Sequence, residues 1–222
     1  MKQKSNFIYY TGIIAIIFVV LAFGIAAMVQ PHRIERYFKP FVIIHIILSM
    51  GWLILFIYQS QLAQKGQLNK HRKNVNIATA LVVSSTIIAV YITYAWGDAR
   101  RLIGESRDIL AFAILFFASI WAIKRGKPET HKRLVLIALM NLIGPAFTRV
   151  WFIFAWPQET IVFALLFTWI IIPVFYDLVT IRRIHKATYI GVGFTLLSFV
   201  IMIAIVFSPL LQSITEFLYE LN

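Results

Sequence analysis

Histidine recurs in this chain beside a basic residue, and each such pair precedes a hydrophobic stretch. The pairs are His71-Arg72, His131-Lys132 and His185-Lys186. A neutral imidazole coordinates haem iron or a divalent metal, whereas a protonated imidazole binds anionic groups. Asp177, shortly before the third pair, adds a carboxylate to the set. The pattern therefore predicts either a haem or metal site or an anion site, assembled from separate parts of the chain.

The hydrophobic stretches around these residues are long enough to cross a bilayer. Of the 222 residues, 60% are hydrophobic and 14% are charged, and the mean hydropathy is +0.82. About 20 apolar residues in a helix span the ~30 Å of hydrocarbon. The candidate spans are approximately 7–29, 41–62, 75–96, 108–123, 133–155, 160–180 and 187–209. The sequence predicts an all-α integral membrane bundle of seven transmembrane helices, forming a single domain over residues 1–222.

The distribution of basic residues predicts how the helices cross the membrane, because Lys and Arg concentrate in cytoplasmic loops. Loops on one side of the membrane carry more than twice as many basic residues as loops on the other side. The basic residues of the poorer side are Arg33, Arg36, Lys39, Arg100, Arg101 and Arg107. The N-terminus is expected inside and the C-terminus outside, with all three His pairs on the inner face. We expect a multi-pass protein of a bacterial inner membrane.

The expected partners follow from the same distribution. The net charge of +12 resides in short loops between apolar helices, where basic side chains meet the bilayer surface and anionic lipid headgroups. Nucleic-acid binding is not expected. Homo-oligomer formation is left open.

Few polar side chains fall within the predicted spans, and those that do face the bundle interior because lipid cannot solvate them. His45 and Gln59 share one stripe of the second helix. His45 and Arg149 lie at comparable depth, and we expect them to share an outer polar pocket. Asn141 is a further intramembrane candidate, and Pro145 shortly after it predicts a bend because proline cannot donate a backbone hydrogen bond. Pro173 predicts a bend in the sixth span for the same reason.

Asp177 lies near the C-terminal end of the sixth span, where the helix macrodipole disfavours a carboxylate. A cationic partner is therefore expected, and the nearest candidates are Arg133, Arg182 or a histidine.

Three kinds of chemistry fit these residues. In the first, haem b is bound, with His45, His71 and His131 as candidate axial ligands. In the second, a divalent metal such as zinc is bound by His71, His131, His185 and Asp177, as in a membrane metal-dependent hydrolase. In the third, anionic lipid or a small anion is bound or transported at the cytoplasmic helix N-termini. Whether the protein is an enzyme stays open, and no catalytic residue is assigned. The absence of Cys excludes cysteine-ligated clusters and disulfides.

The order of these residues resembles a family of uncharacterised bacterial membrane proteins, the domain-of-unknown-function 2306 type. The matching elements are His45, His71-Arg72, His131-Lys132-Arg133 and Thr148-Arg149. The stretch from Tyr176-Asp177 to His185 is similar to related bacterial proteins that read His-Pro-Ala-Thr at its end, where this chain has Lys186 instead of Pro. Val75 likewise stands where a Gly is common after the His-Arg pair in proteins of this type. The resemblance implies a helical membrane fold and no established activity.

Overall fold

The chain folds into helices. The computed structural model describes residues 6–30, 35, 38–95, 99–154 and 157–220, and no strand occurs among them. The helices are α1 (Phe7–Val29), α2 (Pro40–Gln64), α3 (Leu68–Lys73), α4 (Val75–Ala95), α5 (Ala99–Lys124), α6 (Pro128–Leu142), α7 (Gly144–Phe154), α8 (Gln158–Ile181), α9 (Lys186–Val206) and α10 (Leu210–Glu220). Seven helical segments in this part of the chain are long and apolar enough to cross a bilayer. The all-α, seven-span prediction is confirmed, and the orientation of the termini stays a prediction.

The outer surface of these helices is apolar, as a membrane protein requires. Large aliphatic side chains such as Ile14, Ile87 and Ile190 are about two thirds exposed, at 66%, 64% and 67%. Water would make this exposure costly, whereas lipid chains solvate it. We conclude that this is a multi-pass integral membrane protein.

The fourth span is longer than the sequence predicted. The predicted span began at residue 108, directly after Arg107, but α5 already begins at Ala99. The prediction that Arg107 belongs to an outer loop is therefore wrong, because its side chain is buried within the helix. Arg33 and Arg36, counted with it, lie outside the described residues.

Proline has a different effect in the two helices that contain it. The fifth span is interrupted at Ile143, between α6 and α7, so the irregularity predicted at Pro145 is confirmed. In contrast, α8 runs through Pro173 as one helix, and the bend predicted there stays a prediction. The seventh span ends at Val206, and the separate helix α10 that follows was not predicted.

The described chain divides into two compact units. Unit 1 comprises Met1–Ile88 and Ala146–Ile161, and unit 2 comprises Ala89–Pro145 and Val162–Asn222. In unit 1, α1 packs on α2 through a buried row of small residues that includes Gly12 and Ala15. A Cβ atom on Gly12 would come within 2.9 Å of Phe56, so the two helices approach each other closely. The single-domain prediction stays a prediction.

Unit 2 is organised around α6. Nearly every side chain from Leu134 to Asn141 is buried, which is typical of a helix that neighbours surround. The partner helices are α5, which forms a hairpin with α6, and α9, which packs on both. Contact between α6 and α9 is close because Gly191 has no side chain: a Cβ there would lie 2.6 Å from Ile137 and 3.3 Å from Leu134.

Replacement of Gly191 by Leu is expected to destabilise unit 2. The new side chain would need the space that Ile137 fills, and overpacking of this kind costs about 1–3 kcal/mol. Thermal unfolding in detergent micelles measures the effect. Gly193→Leu is the matched control, since nothing lies within 4 Å of a Cβ at that position on the same helix. Equal melting temperatures for the two variants would contradict the close packing of α6 and α9.

Candidate functional site

Two of the three His pairs follow the same type of turn. Gly66 and Gly126 end α2 and α5 with φ angles of +72° and +71°, a left-handed conformation that favours glycine. In each turn the glycine N–H donates to the carbonyl three residues earlier, and the next N–H donates to the carbonyl five residues earlier. This is the Schellman motif of a helix C-terminus. It directs the chain back so that the next helix runs beside the first.

Each of these turns is closed by a histidine ring. Nδ1 of His71 donates to the carbonyl of Gln59 at 3.1 Å, and Nδ1 of His131 donates to the carbonyl of Ser119 at 3.1 Å. A carbonyl oxygen can only accept, so the proton must be on Nδ1 in both rings. In the neutral form of either ring the lone pair is therefore on Nε2. Gln59 also donates through Nε2 to the carbonyl of His71 at 2.9 Å, which ties the first hairpin twice.

The two hairpins are copies of one pattern, repeated after 60 residues without a gap. Their turn glycines, their histidines and their equivalent hydrogen bonds are all 60 positions apart. Identical residues recur in the surrounding helices: Ile-Leu-Phe at 54–56 and 114–116, Gly at 66 and 126, His at 71 and 131, Val at 75 and 135, and Ile-Ala at 77–78 and 137–138. One copy lies in unit 1 and the other in unit 2.

His185 is different from the other two histidines. It is the N-cap of α9, and its Nδ1 accepts from the backbone N–H of Ala187 at 3.0 Å. Nδ1 is therefore unprotonated, the opposite tautomer to that of His71. Partial burial, and next the positive charge of Arg133, lower the pKa of His185 below its usual value, so the ring is neutral near pH 7. The histidine of the recurring dipeptide therefore has two different structural roles.

Asp177 is the centre of a polar group that we call the end cluster: Glu129, Arg133, Asp177, His185 and Thr188. Arg133, Asp177 and Thr188 are buried, whereas Glu129 is exposed. One carboxylate oxygen of Asp177 accepts from Nε of Arg133 at 2.6 Å. The other accepts from the backbone N–H of His185 at 2.7 Å and from the hydroxyl of Thr188. Asp177 is 0% exposed and Arg133 is 1% exposed. The predicted cationic partner of Asp177 is confirmed, and it is Arg133.

Arg133 has a second carboxylate beside it. Nη1 of Arg133 donates to a carboxylate oxygen and to the backbone carbonyl of Glu129, both at 2.8 Å. Nη2 of the same side chain is buried and makes no hydrogen bond. One guanidinium thus faces two carboxylates, so the end cluster carries no excess positive charge that would attract an anion.

A second polar group lies further along the same helices, and we call it the mid-span cluster: Arg107, Asp108, Asn141, Thr195 and Ser198. Arg107 donates to the hydroxyl of Ser198 at 3.0 Å, to the carbonyl of Thr195 and to the carboxylate of Asp108. Its guanidinium carbon lies 4.4 Å from the ring centroid of Trp169, a cation–π distance. The charge of Arg107 is therefore compensated entirely within unit 2.

Asn141 is the member of the mid-span cluster with an unused group. Its Nδ2 donates to the carbonyl of Ile137 at 2.9 Å and to the hydroxyl of Thr195 at 3.1 Å. Because the carbonyl can only accept, the amide orientation is settled, and Oδ1 is the buried atom that no donor reaches. Burying such an acceptor costs about 1–3 kcal/mol.

The mid-span cluster adjoins the interruption between α6 and α7. A Cβ atom on Gly144 would lie 2.5 Å from a carboxylate oxygen of Asp108, so this carboxylate reaches the backbone at the start of α7. Broken helices with polar residues at the break are typical of binding sites in membrane transporters.

The polar candidates of unit 1 have separate partners. Nε2 of His45 lies 3.4 Å from the hydroxyl of Ser49, one turn along the same helix. Arg149 donates to the hydroxyl of Thr148 at 3.0 Å and lies over the ring of Phe23. The polar pocket expected between His45 and Arg149 stays a prediction.

The predicted metal ligands do not lie together. Among the residues that the structure describes, no group of three or more His, Asp or Glu could hold a metal ion. Asp177 already accepts three hydrogen bonds, and Nδ1 of His185 caps a helix. Metal and haem binding therefore stay predictions. Contact between anionic lipid and the exposed basic residues of the turns, such as Lys65 and Lys127, also stays a prediction.

Several residues of the mid-span cluster were missed in the sequence. Arg107 was counted as a loop residue, and Thr195 and Ser198 were not singled out. Trp169, whose ring lies beside Arg107, was not singled out either. The 60-residue repeat would have found Arg107, because it aligns that position with Ile47 inside the second span. Thr195 belongs to a row of small buried residues on α9 with Gly191, a spacing that indicates a packed helix face.

Comparison with known proteins adds no family: no family model, no curated protein and no solved structure matches the chain. The resemblance to the domain-of-unknown-function family stays a prediction.

Replacement of Asp177 by Ala is expected to destabilise the protein strongly. The change removes the buried carboxylate on Nε of Arg133 and the acceptor for the start of α9, a loss typically worth about 3–5 kcal/mol. Lys132→Ala is the control, because its ion pair with Glu129 is exposed and such pairs contribute about 1 kcal/mol or less. Thermal unfolding in micelles compares the two, and a similar small loss for both would refute the structural role of Asp177.

Proposed function

We propose that this integral membrane protein binds or transports a small polar solute at the mid-span cluster of unit 2. The observation that carries the proposal is the carbonyl oxygen of Asn141, which is fully buried beside a helix break and lacks a donor. Intramembrane polar groups without internal partners are expensive in lipid and usually serve a function. A solute that donates a hydrogen bond would supply the missing partner.

The first hairpin provides an internal comparison for this site. At the positions 60 residues earlier, Arg107, Asp108 and Asn141 correspond to Ile47, Leu48 and Leu81. The hairpin pattern therefore forms with apolar residues at all three positions. Buried ion pairs are seldom needed for stability, since apolar replacements are often neutral or stabilising. The polar residues of the second hairpin are thus additions that folding does not require.

The charges of the mid-span cluster indicate the class of solute. Arg107 and Asp108 form an ion pair, so the cluster has no net charge to compensate that of an ion. Bringing an unpaired charge into such a site is costly in a low dielectric. The site consequently favours an uncharged or zwitterionic solute with hydrogen-bond donors over a free anion.

The triple variant Arg107→Ile, Asp108→Leu, Asn141→Leu tests this proposal, because it gives the second hairpin the residues of the first. Its melting temperature is expected to equal or exceed that of the wild type. Proteoliposomes containing the wild type are expected to equilibrate faster than those containing the variant after a jump in urea, glycerol or glycine, followed by stopped-flow light scattering.

Two outcomes would contradict the proposal. A large drop in the melting temperature of the triple variant would assign the cluster to folding. Equal rates for wild type and variant with all three solutes, at an unchanged melting temperature, would remove the solute site.

Binding of a cofactor through histidine is a second proposal, favoured by the tautomers of His71 and His131. Histidines that bind iron or another metal usually donate the opposite ring N–H to a carbonyl or carboxylate, and both rings donate Nδ1–H to a backbone carbonyl. Nε2 would be the coordinating nitrogen in haem b or a divalent metal site. His45 stays a further candidate ligand for haem, and the hydrolase hypothesis rests on the same chemistry.

The visible absorption spectrum of the purified protein tests the haem form of this proposal. A Soret band, with α and β bands that sharpen on reduction by dithionite, is expected if haem b is present. His71→Asn and His131→Asn, examined separately, would show which ring contributes a ligand. A featureless spectrum together with no stoichiometric metal by elemental analysis would exclude cofactor binding.

A further inference from the structure

The last helix, α10, has an apolar side that is only partly covered by protein. At ~100° per residue its apolar residues fall within an arc of about 120°, and they are Leu210, Leu211, Ile214, Phe217 and Leu218. The polar residues Gln212 and Glu216 occupy the opposite side and are exposed, and the exposed Ser213 lies between Glu216 and Phe217 around the helix axis. The helix is therefore strongly amphipathic.

One edge of the apolar arc packs against unit 2 and the other does not. Leu218 is 4% exposed, and α10 contacts α5 and α9. Leu210 and Phe217, on the other edge, are 50% and 58% exposed. The unburied edge must face an environment that solvates apolar side chains, or it would be an unfavourable exposed patch.

The position of α10 in the chain identifies that environment. Three residues separate it from Val206, the end of the span in α9, and Pro209 and the capping hydroxyl of Ser208 restart the helix there. Its 11 residues extend about 16 Å, too short to cross ~30 Å of hydrocarbon. Phe207, at the junction, is 85% exposed and continues the apolar surface of α9 onto α10.

We propose that α10 is an interfacial helix that lies in the headgroup region of the leaflet where α9 ends, with Leu210 and Phe217 inserted among the lipid chains. No Lys or Arg occurs in Leu210–Glu220. Membrane contact is therefore driven by apolar burial rather than by attraction to anionic lipid, and it does not depend on headgroup charge. This inference is independent of the solute site.

Site-directed spin labelling tests the proposal directly, because the chain contains no cysteine. Phe217→Cys and Gln212→Cys place a nitroxide on opposite sides of α10, about 140° apart at ~100° per residue, in proteoliposomes of phosphatidylcholine with or without phosphatidylglycerol. Collision rates with oxygen, which partitions into lipid, and with a water-soluble nickel chelate report the surroundings. Leu197→Cys, in the middle of α9, and Lys186→Cys, at its exposed start, give the lipid and water references.

The label at 217 is expected to show a several-fold higher ratio of oxygen to nickel collisions than the label at 212, with and without phosphatidylglycerol. Leu210→Cys should agree with 217, and it replaces that variant if Phe217→Cys is unstable. A ratio at 217 equal to that at 186 would place α10 in water and overturn the proposal. Low collision rates with both reagents, together with dipolar broadening between labels, would also overturn the proposal. They would show that a second copy of the chain, rather than lipid, covers the apolar edge of α10.

Discussion

The structure of unit 2 depends on a carboxylate that the protein buries completely. Asp177 is fully buried, and every hydrogen bond it accepts comes from a different part of the unit: α6, the loop before α9, and the first turn of α9 itself. In a membrane, backbone and side-chain polar groups must find their partners within the protein. Because one carboxylate satisfies three donors, it fixes where α8 ends and where α9 begins.

The two polar clusters of unit 2 differ in how far their polar atoms find partners within the protein. In the end cluster both oxygens of Asp177 are used, and the one unused atom belongs to a guanidinium whose charge two carboxylates already balance. In the mid-span cluster the unused atom is the Oδ1 acceptor of Asn141, which receives no donor and lies close to a helix break. The first cluster is therefore explained by folding alone, whereas the second is not, and the apolar residues at equivalent positions of the first hairpin strengthen that distinction.

Much of this architecture could be predicted from the sequence, because the bilayer imposes a simple rule on hydropathy and length. The seven spans, the cationic partner of Asp177 and the irregularity at Pro145 follow from that rule and from backbone chemistry. Arg107 was misplaced because a charge seemed to end a span, and a charge can stay inside only when tertiary partners such as Ser198 and Trp169 compensate it. Helix α10 was missed because its hydropathy is low on average, and only the arrangement of its residues around the helix axis distinguishes it.

The three His pairs show why residue type alone does not define a site. His71 and His131 each meet a carbonyl oxygen, which can only accept, so both must carry the proton on Nδ1. His185 accepts from the N–H of Ala187, which can only donate, so Nδ1 of His185 must be unprotonated. The same side chain beside the same type of basic residue therefore presents opposite chemistry, and the difference arises from whether a helix end or a helix start lies within reach. A ligand that needs Nε2 as an electron donor suits the first two rings. At His185 the neutral ring carries its proton on Nε2, and the lone pair of Nδ1 is used by the hydrogen bond that begins α9.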